Sequence, residues 1–299
     1  MTNTDQITPE LYLVKAFTNT PVGGNTAGVV LFADRLPRER RQKIAAMLEL
    51  SETAFVSASD QGDVKVEFYT PVRQIPHCGH ATVAAFSLLW QKGLLKNGSA
   101  IKESIEGPRL ITFDSNKVYQ SQLAPSYTSL DTAGIVPHDI IDALGLPEGF
   151  EFEHPPVIAN TGVSFLLVPL PDAVALRGLQ LDQAQIKELS DRNGLVGFYV
   201  FTIEAGEADA SARMFAPSYG IPEESATGMA AGPLACYLHD FLHIHKTNFL
   251  IHQGYLMGHP SPSQIEVQLE LDEHGNITGL RVGGAGIVIR QMEMGEFWI

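Results

Sequence analysis

This chain has few of the features that mark secreted, nucleic-acid-binding or membrane proteins. Its 299 residues include two cysteines, Cys78 and Cys236, which are too few for a disulfide framework. Lysine and arginine number 20 against 34 aspartates and glutamates, and the net charge of −14 argues against nucleic acid or an anionic membrane as a partner. No stretch approaches the roughly 18 to 20 apolar residues that a membrane span needs. Residues 1–6 are polar and do not resemble a signal peptide. We therefore predict a cytoplasmic protein.

What the chain does contain is a strand-rich pattern with a few helices. Apolar alternation and turn residues predict strands at residues 11–17, 29–32, 52–56, 64–69, 163–169, 197–203, 264–271 and 286–290. A strand pair is predicted within residues 110–123, broken at the turn-forming Ser115 and Asn116. Helical spacing of apolar residues predicts helices at 37–50 and 81–91. With 44% hydrophobic residues, these elements can enclose a sizeable core.

A faint internal repeat divides the chain into halves. The first copy begins at Phe68 and reads FYTP-x4-P-x2-GHATVAA, and the second begins at Met214 and reads MFAP-x4-P-x5-GMAAG. The second copy carries three additional residues between its last proline and the following glycine. A period near half the chain indicates two similar lobes, because solenoid repeats are only about 20 to 50 residues long.

The repeat also predicts where the lobes begin and end. We place an N-terminal lobe at residues 1–124 and a C-terminal lobe at 125–285, with a polar linker near 125–131. The last strand, within residues 286–299, is a candidate to complete the first lobe.

Each copy of the repeat places a glycine where an apolar helix starts directly after a turn. Gly79 and Gly228 would let a ligand approach the backbone, and the first N–H groups of a helix have no partner within it. Such helix ends bind carboxylate or phosphate groups. Two of them, one per lobe, could face each other across a cleft. Simple helix capping is the alternative interpretation.

A metal site is a weaker interpretation of the same segment. His77, Cys78 and His80 are all of ligand type, but such close neighbours in sequence rarely converge on one ion. His239 and His243 lie one turn apart on a predicted helix, without the intervening glutamate of a zinc-protease helix. We therefore predict no bound metal.

A catalytic thiol is the third interpretation. A cysteine at a helix start has its thiolate stabilised by the helix dipole and free N–H groups. Racemases can use two such thiols, but the repeat places Thr227 where a partner of Cys78 would stand. Cys236 lies further along an apolar helix, where a buried structural cysteine is expected. Two-thiol chemistry is therefore not expected, and Cys78 should be dispensable for catalysis.

Several motifs together resemble one known family, the phenazine-biosynthesis PhzF-like proteins, which are related to diaminopimelate epimerase. They span nearly the whole chain in the expected order: TPVGGNTAGVV (20–30), LSETAFV (50–56), FYTPVRQIPHCGHAT (68–82), RMFAP (213–217), GIPEESATGMAAGPL (220–234) and GGAGIVIRQMEMGEF (283–297).

The resemblance implies an α+β fold of two similar lobes, each a β-barrel-like sheet around a central helix, with the active site between the lobes. Members are largely homodimeric, and the best-understood one isomerises dihydro-3-hydroxyanthranilate by moving a proton between ring carbons, without cofactor or metal. We therefore expect a cofactor-independent isomerase that moves a proton on a small cyclic or amino carboxylic acid. An epimerase or racemase, or a non-catalytic protein that binds a small ligand, are the alternatives.

The resemblance also implies roles for individual residues. Glu52 of SETAF matches the proton-carrying glutamate, and a carboxylate enclosed with little water becomes a better base. His80 matches a histidine that binds the substrate or shares its proton, and Glu224 matches an acidic residue of the second motif. Expected substrate-binding residues are Gly79, Thr227, Gly228 and Met229.

Four positions depart from the family pattern. The usual aspartate is Glu224, which carries one more methylene, and the usual proline is Ser225. The usual serine is Met229, which removes a hydroxyl and adds a flexible apolar side chain. Gln74 stands where many relatives carry glutamate. We therefore expect retained acid–base chemistry in a reshaped pocket.

Overall fold

A computed structural model describes residues 8–96 and 98–297 of the chain. The mixed α+β class is confirmed, since these residues form 17 strands and seven α-helices. Residues 1–6, for which we predict no signal peptide, lie outside the described part. No helix within residues 8–96 and 98–297 is long and apolar enough to cross a membrane.

The elements follow one another closely along the chain. The strands are β1 (Glu10–Ala16), β2 (Asn25–Leu31), β3 (Thr53–Ser57), β4 (Val64–Tyr69), β5 (Gln74–Ile75), β6 (Ser99–Glu103), β7 (Arg109–Asp114), β8 (Lys117–Leu123), β9 (Ser126–Ser129), β10 (Val157–Asn160), β11 (Ser164–Pro169), β12 (Gly197–Thr202), β13 (Ala210–Ala216), β14 (Ile221–Glu224), β15 (Asn248–Gln253), β16 (Ser263–Leu271) and β17 (Ile277–Met292). The helices are α1 (Arg38–Leu48), α2 (Gly79–Gln91), α3 (Leu130–Ala133), α4 (Pro137–Leu144), α5 (Ala173–Arg177), α6 (Gln183–Asn193) and α7 (Gly228–Asp240).

The described chain divides into two compact units. The first comprises the residues up to Gln120 together with those from Gly283, and the second is Ser121–Val282. In the first unit, β1, β2, β3, β4, β6, β7, β8 and β17 pair in this order, and β17 returns to β1 to close the circuit. The pairs β2–β3 and β4–β6 are parallel, and their crossovers contain α1 and α2.

The second unit repeats the pairing order of the first. Its β10–β11, β12–β13 and β15–β16 pairs are antiparallel, whereas β11–β12 and β13–β15 are parallel. The parallel crossovers contain α5 with α6, and α7. Helices α2 and α7 therefore occupy equivalent positions, and each has 13 residues. Both are apolar around most of their circumference because they are buried on nearly all sides.

Some boundaries differ from the sequence predictions. The segment 125–131 is not an unstructured linker, because β9 pairs with β10 and α3 follows directly. The residues of β9 are exposed or half-buried and do not alternate, so the sequence carries no strand pattern there. The predicted strand at 286–290 is the end of the much longer β17. His239 and His243 do not share a helix, since α7 ends at Asp240 and His243 has a positive φ of 54°.

Candidate active site

The predicted helix start at Gly79 is confirmed. Cys78 is the N-cap residue of α2, with extended backbone angles, and its side chain forms no capping hydrogen bond. Instead, the backbone N–H and the hydroxyl of Thr82 donate to the carbonyl oxygen of Cys78, at 3.1 Å and 2.7 Å. The first N–H groups of α2 therefore donate no hydrogen bond to the side chain of their cap residue, which leaves this helix end suited to an anionic group.

Glu52 lies beside this helix start. It directly precedes β3, so it is not the strand residue that the sequence predicts, and it is also not a surface residue, because only 6% of it is exposed. The parallel pairing of β3 with β2 fixes its backbone, and the Gly28 N–H donates to the Glu52 carbonyl oxygen at 3.3 Å. The side-chain oxygen Oε2 is buried and has no hydrogen-bond partner. A buried carboxylate oxygen without a donor is available for proton transfer.

The imidazole of His80 lies between Glu52 and Cys78. Its Nε2 is 3.4 Å from Glu52 Oε2 and 3.5 Å from Ser51 Oγ, and its Nδ1 is 3.5 Å from Cys78 Sγ. Burial lowers the pKa of His80, although the charge of Glu52 opposes this shift. A neutral imidazole carries one hydrogen on its two nitrogens, so it can accept a proton on one side and donate one on the other.

Glu52, Cys78 and His80 are also of metal-ligand type. Within residues 8–96 and 98–297 they form the group of three such residues whose ligand atoms lie within 4.8 Å of one another. However, His80 faces the carboxylate with one nitrogen and the thiol with the other, so the ring separates them. An ion bound by one nitrogen would require these contacts to rearrange, and the geometry fits proton transfer better. His77 does not join the group.

In the second unit, the equivalent helix start is built around a buried glutamine. Thr227 is the N-cap residue of α7, and the predicted helix start at Gly228 is confirmed. Gln253 Oε1 accepts from the Thr227 N–H and the Tyr199 hydroxyl, both at 2.9 Å. Gln253 Nε2 donates to the Glu224 carbonyl oxygen at 2.8 Å and to Thr227 Oγ1 at 3.1 Å. Both hydrogens and both lone pairs of this amide thus have a partner, so Gln253 fixes the loop before α7.

The two neighbouring glutamates of this loop differ in role. Arg213 donates to both carboxylate oxygens of Glu223, at 2.7 Å and 2.9 Å, which is a bidentate ion pair. Glu224, on β14, is 9% exposed, and its Oε1 accepts from the Ser225 N–H at 3.2 Å. Both carboxylate oxygens of Glu223 are thus used in the ion pair with Arg213, and Glu224 is the candidate functional carboxylate of this loop.

Met229 lies against an amide. Gln122 Nε2 donates to the Gly228 carbonyl oxygen at 3.1 Å and lies 3.5 Å from Met229 Sδ. Gln122 is itself held by the hydroxyl of Thr161, which donates to its Oε1 at 2.7 Å. A sulfur atom is a weak acceptor, so this contact is weaker than one to a hydroxyl oxygen would be.

The structure thus brings Glu52, Gly79 and His80 together in the first unit, and Glu224, Thr227, Gly228 and Met229 together in the second. Sequence reasoning missed two supporting residues, Ser51 and Gln253. Gln253 is a buried polar residue on a strand, and only the fold shows what it contacts. A cavity of about 590 Å³ in the first unit lies at the other end of α2, near Leu89 and Leu94, and contains none of the predicted site residues.

Comparison with known proteins supports one family. A sequence profile described as "Phenazine biosynthesis-like protein" matches residues 14–291. An uncharacterized isomerase of Deinococcus radiodurans is 35% identical over 93% of this chain and 92% of its own length. The uncharacterized isomerase YddE of Escherichia coli K12 is 33% identical over 95% of this chain and 98% of its own. The trans-2,3-dihydro-3-hydroxyanthranilate isomerase of Pseudomonas fluorescens is 28% identical over 92% and 95%.

Solved structures show the same fold. A PhzF-family protein of Bacillus anthracis matches with a TM-score of 0.86, at 22% identity, over 96% of this chain and 99% of that one. A hydroxyproline epimerase of Agrobacterium vitis matches more distantly, with a TM-score of 0.55 at 13% identity, over 95% and 91%.

Proposed function

Because the chain belongs to the phenazine biosynthesis-like family, we propose that it is an isomerase that moves a proton between carbon atoms of a small carboxylic acid. One observation carries this proposal. The carboxylate of Glu52 has a buried oxygen without a hydrogen-bond partner, and it lies 3.4 Å from a buried imidazole. Such a carboxylate can take a proton from carbon and return it, with no change of oxidation state and no cofactor.

The proposed reaction uses few groups. Glu52 removes a proton from one carbon of the substrate, and the electron pair of the broken C–H bond forms a new C=C bond while the pair of the adjoining C=C bond of the substrate moves to a second carbon. The same carboxylate then returns the proton to this second carbon. His80 hydrogen-bonds the carboxyl of Glu52 while that carboxyl carries the proton. The first N–H groups of α2, from Gly79 onward, are suited to hold a substrate carboxylate. We further propose that Glu224, Thr227, Gly228 and Met229 contact the substrate.

Exchange with heavy water tests this proposal before any substrate is identified. The protein is incubated in D₂O with a panel of cyclic and amino carboxylic acids, and deuterium at carbon is followed by mass spectrometry. At least one acid should gain deuterium, and an isomeric product should appear with it. If acids bind, as seen by calorimetry, but none exchanges or isomerises, the protein is a binding protein instead.

The altered second motif predicts a changed substrate preference. A pocket with Met229 cannot pair a polar substrate group as a serine hydroxyl would, and an unpaired buried group costs about 1 to 3 kcal/mol. We therefore expect trans-2,3-dihydro-3-hydroxyanthranilate to be a poor substrate. The double variant Glu224→Asp, Met229→Ser should improve kcat/KM for this compound by roughly 5- to 150-fold.

The test is to measure kcat/KM for trans-2,3-dihydro-3-hydroxyanthranilate in the natural protein and in the double variant. Glu273→Asp, which shortens a glutamate whose side chain is 86% exposed, serves as the control. If the natural protein turns the compound over as well as the double variant does, Met229 does not shape the pocket in this way.

Epimerisation is the second candidate, and the contact between Cys78 and His80 favours it. A thiol 3.5 Å from an imidazole can lose its proton and act as an acid–base group at carbon. Chiral chromatography of the acids that gain deuterium distinguishes the two reactions, because an epimerase inverts the exchanged carbon.

The remaining proposals concern the setting of the reaction. We propose that the protein works in the cytoplasm as a homodimer, and sedimentation equilibrium of the purified protein tests the dimer.

A further inference from the structure

A buried lysine stands behind the start of α2. Lys102, on β6, has no exposed surface, and its ammonium donates to Gln120 Oε1 at 2.9 Å and to Thr82 Oγ1 at 3.3 Å. The same Nζ lies 3.3 Å from His77 Nδ1 and 5.4 Å from the centre of the Phe68 ring. Lysine is almost never fully buried unless its charge is paired or well hydrogen-bonded, so this arrangement requires a specific reason.

Lys102 contacts residues on both sides of Cys78 in the sequence, His77 before it and Thr82 after it. His77 directly precedes Cys78, and Gln120 Nε2 lies 3.3 Å from His77 Nε2. Thr82, one turn into α2, donates its hydroxyl hydrogen to the Cys78 carbonyl oxygen at 2.7 Å. The ammonium therefore supports the residues that place Cys78 at the helix start.

Stability alone is a weak explanation for this charge. An apolar side chain of similar size often stabilises a protein interior as well as a buried ion does. Burial, the largest cause, and the charge of Arg109 lower the pKa of Lys102 to about 8, while the charge of Glu106 and that of Cys78, when ionised, act in the opposite direction. The attraction between ammonium and thiolate acts equally on both groups.

We infer that Lys102 is a positioning residue of the candidate active site and that its charge favours the thiolate form of Cys78. A thiolate accepts the Nδ1 hydrogen of His80, which leaves Nε2 of that ring as the acceptor facing Glu52. Lys102 would thus set the orientation of hydrogens around the proton-carrying carboxylate without touching the substrate. The inference rests on the proposed function only in treating this cluster as an active site.

Charges from several elements act on this thiol, and they do not all favour its ionisation. The groups are His80 from α2, Glu52 from the segment before β3, Lys102 from β6, His77 from the segment before α2, and Glu106 and Arg109 around the β6–β7 turn. Glu52 opposes the thiolate and Lys102 favours it. Removing the charge of Lys102 alone should therefore lower the fraction of Cys78 that is ionised.

The test measures the thiolate directly by ultraviolet absorbance at 240 nm as a function of pH. Lys102→Met removes the charge at similar size, and Lys102→Gln removes it while keeping an amide that can hydrogen-bond. Each protein is referenced to the same protein carrying Cys78→Ala, which subtracts Cys236 and the tyrosines. We expect the thiolate fraction at pH 7, where Lys102 is still mainly an ammonium, to fall about three- to tenfold in both variants.

Lys65→Met is the control, because Lys65 lies on the neighbouring β4 with its side chain 41% exposed. This variant should leave the thiolate fraction unchanged. The inference is overturned if either Lys102 variant folds and keeps the fraction within about twofold of the natural protein, or if neither folds, since Lys102 would then serve stability. The thiolate fraction could fall in the Lys102 variants while the natural protein exchanges no proton on any acid. That result would support the role of Lys102 and contradict the proposed function.

Discussion

Replacing Glu52 by glutamine is expected to slow proton exchange at carbon, and turnover of any substrate found, by roughly 10²- to 10⁴-fold. Glutamine keeps the shape of the side chain but cannot carry the proton. Because Glu52 is 6% exposed and its Oε2 lacks a hydrogen-bond donor, water is poorly placed to replace it as a base. The measurement is the rate of deuterium incorporation from D₂O, with calorimetry to show that the acid still binds.

Glu49→Gln provides the matched control. Glu49 is three residues earlier, exposed, and at the end of α1, so its change should leave the exchange rate within about twofold. An exchange rate in Glu52→Gln within tenfold of the natural rate would remove Glu52 from the chemistry. His80 or Cys78 would then be the next candidate bases.

Replacing Gln253 by leucine should destabilise the loop before α7 and the first turn of that helix. The change leaves the buried Tyr199 hydroxyl, the Thr227 N–H and the Glu224 carbonyl oxygen without this partner, and each unsatisfied group costs about 1 to 3 kcal/mol. The three groups together give an expected loss of about 3 kcal/mol or more. Because 1.4 kcal/mol corresponds to a tenfold change, amide exchange in residues 224–231 should accelerate by about 100-fold or more.

Peptide-resolved hydrogen exchange by mass spectrometry checks this prediction locally, without assuming that the two units unfold together. Gln264→Leu is the control, since Gln264 is an exposed residue on the neighbouring β16. Equal exchange rates at residues 224–231 in both variants would show that Gln253 does not hold this loop.

The local signals for the helix starts are strong in the sequence. A turn followed by glycine and an apolar run predicts α2 and α7, and the repeat predicts that Cys78 and Thr227 are equivalent, as their shared N-cap position shows. Turn residues likewise locate the break between β7 and β8. These features depend on a few adjacent residues, which is why a single sequence suffices for them.

Contacts between distant segments are not predictable in the same way. The neighbours of His80 come from residues 51 and 52, and those of Thr227 from residue 253. Lys102 lies on a strand whose sequence gives no sign that its ammonium is buried. The sequence predicts a linker where polar β9 lies, because an edge strand needs little apolar surface.

Transfer of a labelled proton tests the central proposal, that one carboxylate both removes and returns the proton, most directly. An acid identified by the D₂O screen is deuterated at the reacting carbon and converted in H₂O under single-turnover conditions, and the product is analysed by mass spectrometry and NMR. Because Glu52 is shielded from water, we predict that part of the deuterium appears at the new carbon of the product. A product formed at the normal rate without any transferred deuterium would contradict a single carrying carboxylate and indicate two separate acid–base groups.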